Sequence, residues 1–157
     1  MSKTTPATIA ITKTGLPFAL ANYDYDPDAD RVGLQAAEAM GVEPGVVFKT
    51  LMAEVDGKPV CVVVPSDEEV NMKKLAAAVG GKHAAMMKPV DAERLTGYKV
   101  GGISPFGQKR KVPTVIEETV VLLDEIFMNG GQRGLQVRMK PDDAIAALEA
   151  KPADVIR

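Results

Sequence analysis

The sequence predicts an α/β protein of the α+β type, with a mixed, partly antiparallel sheet surrounded by helices. Three observations predict it. Asp56-Gly57 separates two β-rich runs, a strong local signal for a tight hairpin. Strand-like and short helical segments interleave without a regular βαβ repeat, which argues against a purely parallel sheet. No internal repeat or low-complexity tract interrupts the 157 residues, and that length suits one domain, 1–157.

The elements follow in order. Thr5-Pro6 supplies a cap and a first helical position, and the helix they start stops near Gly15. Residues 17–25 are extended, with Phe18 and Leu20 towards one face and Ala19, Ala21 and Tyr23 towards the other. A helix over 34–40 is closed by Gly41, and Pro44-Gly45 turns the chain. Residues 47–55 and 59–64 form the hairpin arms. Helix formers fill 71–79 before Gly80-Gly81, and a short helix spans 89–95. Beyond a glycine-rich stretch, 112–116, 126–128 and 135–139 read as strands, and 141–150 as the last helix.

Composition removes several function classes. With 19 basic and 21 acidic residues the net charge is −2, so no overall field draws nucleic acid and any such contact must be local. Lys109, Arg110 and Lys111 are the candidates, with Arg133 and Arg138 near a second turn. The apolar runs fall well short of the roughly 20 residues that span a bilayer. The N-terminus lacks signal-peptide zones, so an intracellular, cytoplasmic protein without membrane contact is expected. Cys61 and His83 are each the sole residue of their type, which excludes an intrachain disulfide and a thiolate zinc site. A Ser-His or Cys-His pair could be built only on His83, and Ala84, Ala85 and Met86 beside it suggest a surface strand. Asp24, Asp26, Asp28 and Asp30 alternate like a calcium loop. Ala29 stands where that loop needs glycine and Gln35 where it needs glutamate, so no metal is expected.

Two features carry chemistry. In Val100-Gly101-Gly102-Ile103-Ser104-Pro105-Phe106-Gly107-Gln108 the paired glycines allow main-chain groups to approach a ligand closely, Ser104-Pro105 stiffens the exit, and the basic run follows. A Gly-rich surface turn is the bland alternative. Lys49 lies, by alternation, on the strand face of Val47, Leu51, Ala53 and Val55, where an aliphatic residue is expected. A desolvated ammonium snorkels, pairs, or faces a polar ligand; if Phe48 and Met52 mark the core side, Lys49 points outward. Asn129-Gly130-Gly131-Gln132-Arg133-Gly134 reads first as a hairpin turn and second as another glycine wall.

Val47-Phe48-Lys49-Thr50-Leu51, Thr96-Gly97-Tyr98, the Gly101-Gly102-Ile103-Ser104-Pro105 loop and Gly130-Gly131-Gln132-Arg133-Gly134 occur in the order found in the YbaK/EbsC family. The chain resembles that family over nearly its whole length. Its members are freestanding aminoacyl-tRNA deacylases related to the editing domain of bacterial prolyl-tRNA synthetase, and this chain is most similar to the Cys-tRNA(Pro) branch. The resemblance implies a trans-editing enzyme with no cofactor, acting on the 3′ end of aminoacylated tRNA, with prolyl-tRNA synthetase as a transient partner and no DNA target. It implies that Lys49 and Gly101 are catalytic. Tyr23, Gly102, Ile103, Ser104, Pro105, Gly130, Gly131 and Arg133 would bind substrate, and Lys109, Arg110 and Lys111 would contact tRNA. The cysteinyl substrate would supply its own thiol. Removal of another small residue such as alanine by water, or a non-catalytic tRNA- or synthetase-binding module, are the alternatives. The family often has a lysine where Gln132 stands and an aspartate where Gln136 stands.

Overall fold

The computed structural model describes residues 4–28 and 32–157. Helix α1 (Pro6–Thr14) begins at a Thr5 cap whose hydroxyl accepts from the Thr8 N–H while Thr8 returns a bond, and ends at Gly15 in the left-handed region. Strand β1 (Ala19–Asn22), helix α2 (Val32–Met40) and a 3-10 turn (Pro44–Val46) follow. Next come β2 (Phe48–Val55) and β3 (Lys58–Pro65), then α3 (Met72–Ala78), β4 (Ala84–Met86) and α4 (Pro89–Thr96). The C-terminal part holds β5 (Thr114–Glu117), a 3-10 turn (Glu118–Leu122), β6 (Ile126–Asn129), β7 (Leu135–Met139), α5 (Pro141–Leu148) and β8 (Lys151–Ala153).

The β2–β3 hairpin forms as its sequence dictates. Val55 faces Lys58 across a two-residue turn, and Asp56 and Gly57 both carry positive φ, at 51° and 80°. His83 and Lys82 donate their backbone N–H groups to the Asp56 carboxylate, which lowers its pKa. His83 is exposed at the start of β4, as its neighbours suggest.

The strands form two sheets, where the sequence suggests one. A five-stranded sheet runs β4-β2-β3-β5-β8, antiparallel across β4-β2-β3 and parallel across β3-β5-β8; a separate antiparallel sheet runs β1-β7-β6. Among the described residues an isolated parallel bridge, Val47 with Phe127, links their backbones. β4 pairs with β2 at 53–55, leaving β6 only the far end of that strand. The extended segment 17–25 is a strand only where Ala19–Asn22 pairs with β7. β4 and β8, three residues each, escape a pattern-based reading, and Pro152 sits at the sheet edge where a lost donor is tolerated. The last helix ends two residues early, at Glu149 in the left-handed region.

Both faces of the larger sheet are covered, which is why β3 reads as a continuous apolar run. Cys61 and Val63 point into one cluster with Phe48, Met52 and Ile116, reached by α1, α4, α5 and the smaller sheet. Val60, Val62 and Val64 point into the other with Ala53, Val55, Val115 and Leu75 of α3. Phe48 and Lys49 therefore face opposite cores, and the either-or over which face is inside has no single answer. A third cluster joins Ala36 and Ala37 of α2 to Val47, with Tyr23 and Phe127 packed against it.

Candidate active site

A cavity of about 300 Å³ opens beside the first half of β2. The reason is local pairing: β3 flanks β2 throughout, but β4 covers its other edge only from Ala53 onward. Side chains from both faces of the strand, Phe48 and Thr50 on one and Lys49 and Leu51 on the other, consequently line the same space. Lys49 sits where α2 presses closest, since a Cβ added to Gly33 would lie 2.3 Å from Ser66 Oγ and 3.8 Å from the Lys49 Cβ.

The opposite wall is Gly101 and Ile103, so the cationic strand residue and the glycine loop share one cavity. Gly101 has φ 90°, and a Cβ there would meet Tyr25 Oη at 2.8 Å and Arg133 Nε at 3.1 Å. Of the glycine pair, Gly101 lines the cavity; Gly102 donates its N–H to the Lys99 carbonyl at 2.8 Å and packs against the backbone of Gln132 and Arg133. The wall is held from behind by the β6–β7 hairpin. Asn129 Nδ2 donates to the Gly101 carbonyl at 3.2 Å, while its Oδ1 accepts from Gly131 N–H at 2.7 Å. The Arg133 guanidinium donates twice to the Val100 carbonyl and lies over the Tyr25 ring, 5.4 Å from its centre.

Several residues expected to touch substrate lie outside the cavity lining. Ser104 is fully buried, its Oγ accepting from Phe106 N–H and its carbonyl from Gln108 Nε2. Pro105 faces a different cleft. Gly130 donates to Leu135 O and accepts from the Thr5 hydroxyl at 2.6 Å, and Gly131 packs on Tyr98 and Thr5. These residues, with Gly102 and Arg133, do not line the cavity, because the two glycine segments pack backbone to backbone. Tyr23 also lies behind it, packed on the third cluster, with its pKa raised by burial.

Residues the sequence reading passed over do line it. Gln136 is 3% exposed, directly opposite Asn129 across the β6–β7 ladder, and Thr50 follows Lys49. Thr50 Oγ1, Gln136 Oε1 and the nearby Tyr23 hydroxyl are buried without a hydrogen-bond partner. Such orphans are costly in an interior, roughly 1–3 kcal/mol each, and persist where a ligand completes them. The signal was available: threonine and glutamine at apolar strand positions. Alternation alone could not reveal that both faces of β2 meet one cavity.

Among the described residues the lining holds no thiol, imidazole or carboxylate. Cys61 is fully buried and its thiol is pushed up to about 12 by that burial. Ala29 and Asp30 of the acidic stretch lie outside the described residues. No group of three or more His, Cys, Asp or Glu able to hold a metal occurs among those described, and no described helix is long and apolar enough to cross a membrane. The basic run divides: Lys109 and Arg110 line a groove beside α4, whereas Lys111 turns away to pair with Glu149. Arg138 pairs with Glu125 at 3.1 Å.

Such a lining can hold and orient a polar ligand through Lys49, Thr50, Gln136 and the Gly101 main chain. The aminoacyl-tRNA editing domain family matches residues 26–147, and the chain belongs to that family. The chain is 35% identical over 136 residues to an Enterococcus faecalis protein named Cys-tRNA(Pro)/Cys-tRNA(Cys) deacylase EbsC, covering 85% of this chain and 82% of that one. It is 29% identical over 112 residues to the Escherichia coli multifunctional Ser/Thr-tRNA deacylase ProXp-y, covering 68% of this chain and 67% of that protein. The proline–tRNA ligase of Maridesulfovibrio salexigens is 32% identical over 100 residues, 64% of this chain and 17% of the ligase. A solved structure described as a trans-editing enzyme for prolyl-tRNA synthetase superposes with a TM-score of 0.85 over 99% of both chains at 24% identity, a likeness of fold. The chain is thus an aminoacyl-tRNA deacylase by class.

Proposed function

We propose that residues 1–157 form one trans-editing domain that removes cysteine from Cys-tRNA(Pro) in the cytoplasm, with prolyl-tRNA synthetase as a transient partner that selects the tRNA. The observation that carries this is the cavity shared by Lys49 and Gly101, with orphaned polar atoms and no activated nucleophile among its described lining residues. Its relative named for Cys-tRNA(Pro) and Cys-tRNA(Cys) supports the choice of acyl group. An esterified amino acid needs little activation, and a substrate that brings its own thiol needs none from the protein.

The step is an intramolecular acyl transfer. The cysteinyl sulfur attacks its own ester carbonyl, a C–S bond forms, the C–O bond to the adenosine breaks, and the ribose oxygen takes up the proton the thiol gave up. The product is a thiolactone and a free tRNA end. Intramolecular attack in a fixed geometry reaches effective molarities on the order of 10⁵ M or more. Gly101 main chain steadies the developing oxyanion, Lys49 holds a phosphate or hydroxyl of the terminal adenosine, and Thr50 and Gln136 meet the amino group of the acyl moiety. Discrimination against cysteine in a proline pocket is weak, because a methylene-scale difference is worth only about 1–3 kcal/mol, so a second site is needed.

A deacylation panel with Cys-, Ser-, Ala- and Pro-tRNA(Pro) tests the proposal. Fast turnover of Cys-tRNA(Pro) with little turnover of Ser-tRNA(Pro) is expected. Equal turnover of the seryl ester would replace the substrate thiol by water, and fast alanyl turnover would reassign the substrate. Saturable binding with no change in ester half-life would make the domain a non-catalytic module.

A further inference from the structure

We infer that the groove beside α4 is a second binding site, taking the phosphates of the single-stranded tRNA nucleotides just upstream of the esterified adenosine. This rests on the deacylase function proposed above and assigns the path by which the substrate leaves the cavity. The groove, about 550 Å³, is larger than the cavity and is not part of it. The two are consecutive. Met87 lines both, and along one face of β2 the side chains of Thr50 and Met52 face the cavity while Glu54 faces the groove. Four strand steps lead from Thr50 to Glu54, about 13 Å at roughly 3.3 Å each, so a chain leaving the cavity along β2 enters the groove directly.

Charge and surface select the occupant. Arg94, Lys109 and Arg110 stand along the groove, and all three are exposed. Neither Lys109 nor Arg110 has an ion-pair partner among the described residues, and Arg94 meets Asp91 only at 3.8 Å with its side chain 76% exposed, a weak pairing. Lys111 takes no part, being turned to Glu149 on another side. Guanidinium groups bind phosphate oxygens in pairs, and Met87 and Leu95 offer an apolar floor for sugar and base. Glu54 on β2 and Asp91 on α4 also line the groove and repel phosphate, which places the backbone of the strand against Arg94 and the 109–110 segment. A net-acidic protein thereby holds tRNA through one local track.

The experiment compares two esters of the same acyl group: full-length Cys-tRNA(Pro) and 3′-O-cysteinyl-adenosine, which lacks every upstream phosphate. Arg94→Glu/Arg110→Glu is expected to lower kcat/KM for the tRNA ester relative to the adenosine ester by about tenfold, mainly through KM. It is also expected to flatten the dependence of log(kcat/KM) on log salt by about 1.4, from roughly 0.7 per lost single-strand contact. The charge-matched Lys13→Glu/Lys73→Glu variant, whose residues are not part of the groove lining, is expected to leave the ratio within twofold. An unchanged ratio and salt slope in the Arg94/Arg110 variant would overturn the groove and leave the deacylase function standing. The same ratio loss in the Lys13/Lys73 variant would reduce the effect to overall charge and overturn it too. Turnover of neither ester by the wild type would overturn both proposals together.

Discussion

Replacing Gly101 by alanine separates the chemistry of the glycine wall from its folding. Gly101 has φ 90°, and holding an L-residue in such a conformation costs about 1–2 kcal/mol. The new Cβ would meet Tyr25 Oη at 2.8 Å and Arg133 Nε at 3.1 Å. Both are ends of flexible side chains, so they yield, but Arg133 then loosens its bonds of 3.0 and 2.8 Å to the Val100 carbonyl, adding roughly 0.5–1 kcal/mol. The total, about 1.5–3 kcal/mol, lowers Tm by roughly 4–10 °C for a chain of this size. Gly80→Ala is the matched control: φ is 74° there, and nothing lies within 4 Å of an added Cβ. It carries the backbone strain without touching the cavity. Thermal unfolding by circular dichroism and single-turnover deacylation of Cys-tRNA(Pro) are measured on both. Gly101→Ala keeps its N–H but its Cβ, pressed on Tyr25 and Arg133, shifts the main chain off the reacting carbonyl, so a rate loss of about 10²-fold is expected, while Gly80→Ala keeps its rate. Equal rates in the two variants would refute the assignment of Gly101 to the reacting carbonyl.

Thr50→Val and Gln136→Leu remove buried polar atoms that have no partner, so each is expected to raise Tm by about 2–4 °C, from roughly 1 kcal/mol, while lowering kcat/KM at least about tenfold. A variant both less stable and fully active would show the orphaned atoms to be structural. Cys61, with its thiol pushed up to about 12, is expected to resist maleimide at pH 8 in the native protein and react once unfolded. Rapid stoichiometric labelling of the native protein would contradict this. Because burial raises the Cys61 pKa from 9.0, and that of Tyr98 from 10.0, to about 12 each, their contributions to stability are intact below about pH 9 and are lost as pH climbs towards 12. Denaturant midpoints that stay flat to pH 9 and then fall are expected, with Cys61→Ala weakening the early part of the fall.

Much of this was legible in the chain because local chemistry and tertiary demand agree there. Thr5-Pro6, Asp56-Gly57 and the glycines that close α1 and α2 each satisfy a backbone requirement that few other residues meet, so their elements fall where expected. Lys49 announced itself as a cation in an aliphatic run, and Gly101 as backbone without a Cβ. The division into two sheets was hidden, because the Val47–Phe127 contact that nearly joins them depends on how β4 covers β2, and Ala84–Met86 is too short for a periodic signal. That Ser104, Gly130 and Gly131 lie outside the cavity lining is hidden for a related reason. A glycine that lets a ligand approach and one that lets another backbone approach look identical in sequence, and here most serve the second purpose. Gln136 stands where the resembling family often has aspartate, and its place in the cavity lining, buried with an unpartnered oxygen, comes only from the fold.

The most direct test of the shared cavity is Lys49→Met, which keeps an unbranched stem and removes the ammonium, assayed for single-turnover deacylation of Cys-tRNA(Pro) alongside its thermal midpoint. A native-like midpoint with a rate reduced about 10²-fold or more is expected if that charge seats the tRNA end against Gly101. A folded Lys49→Met protein that deacylates within threefold of wild type would contradict it.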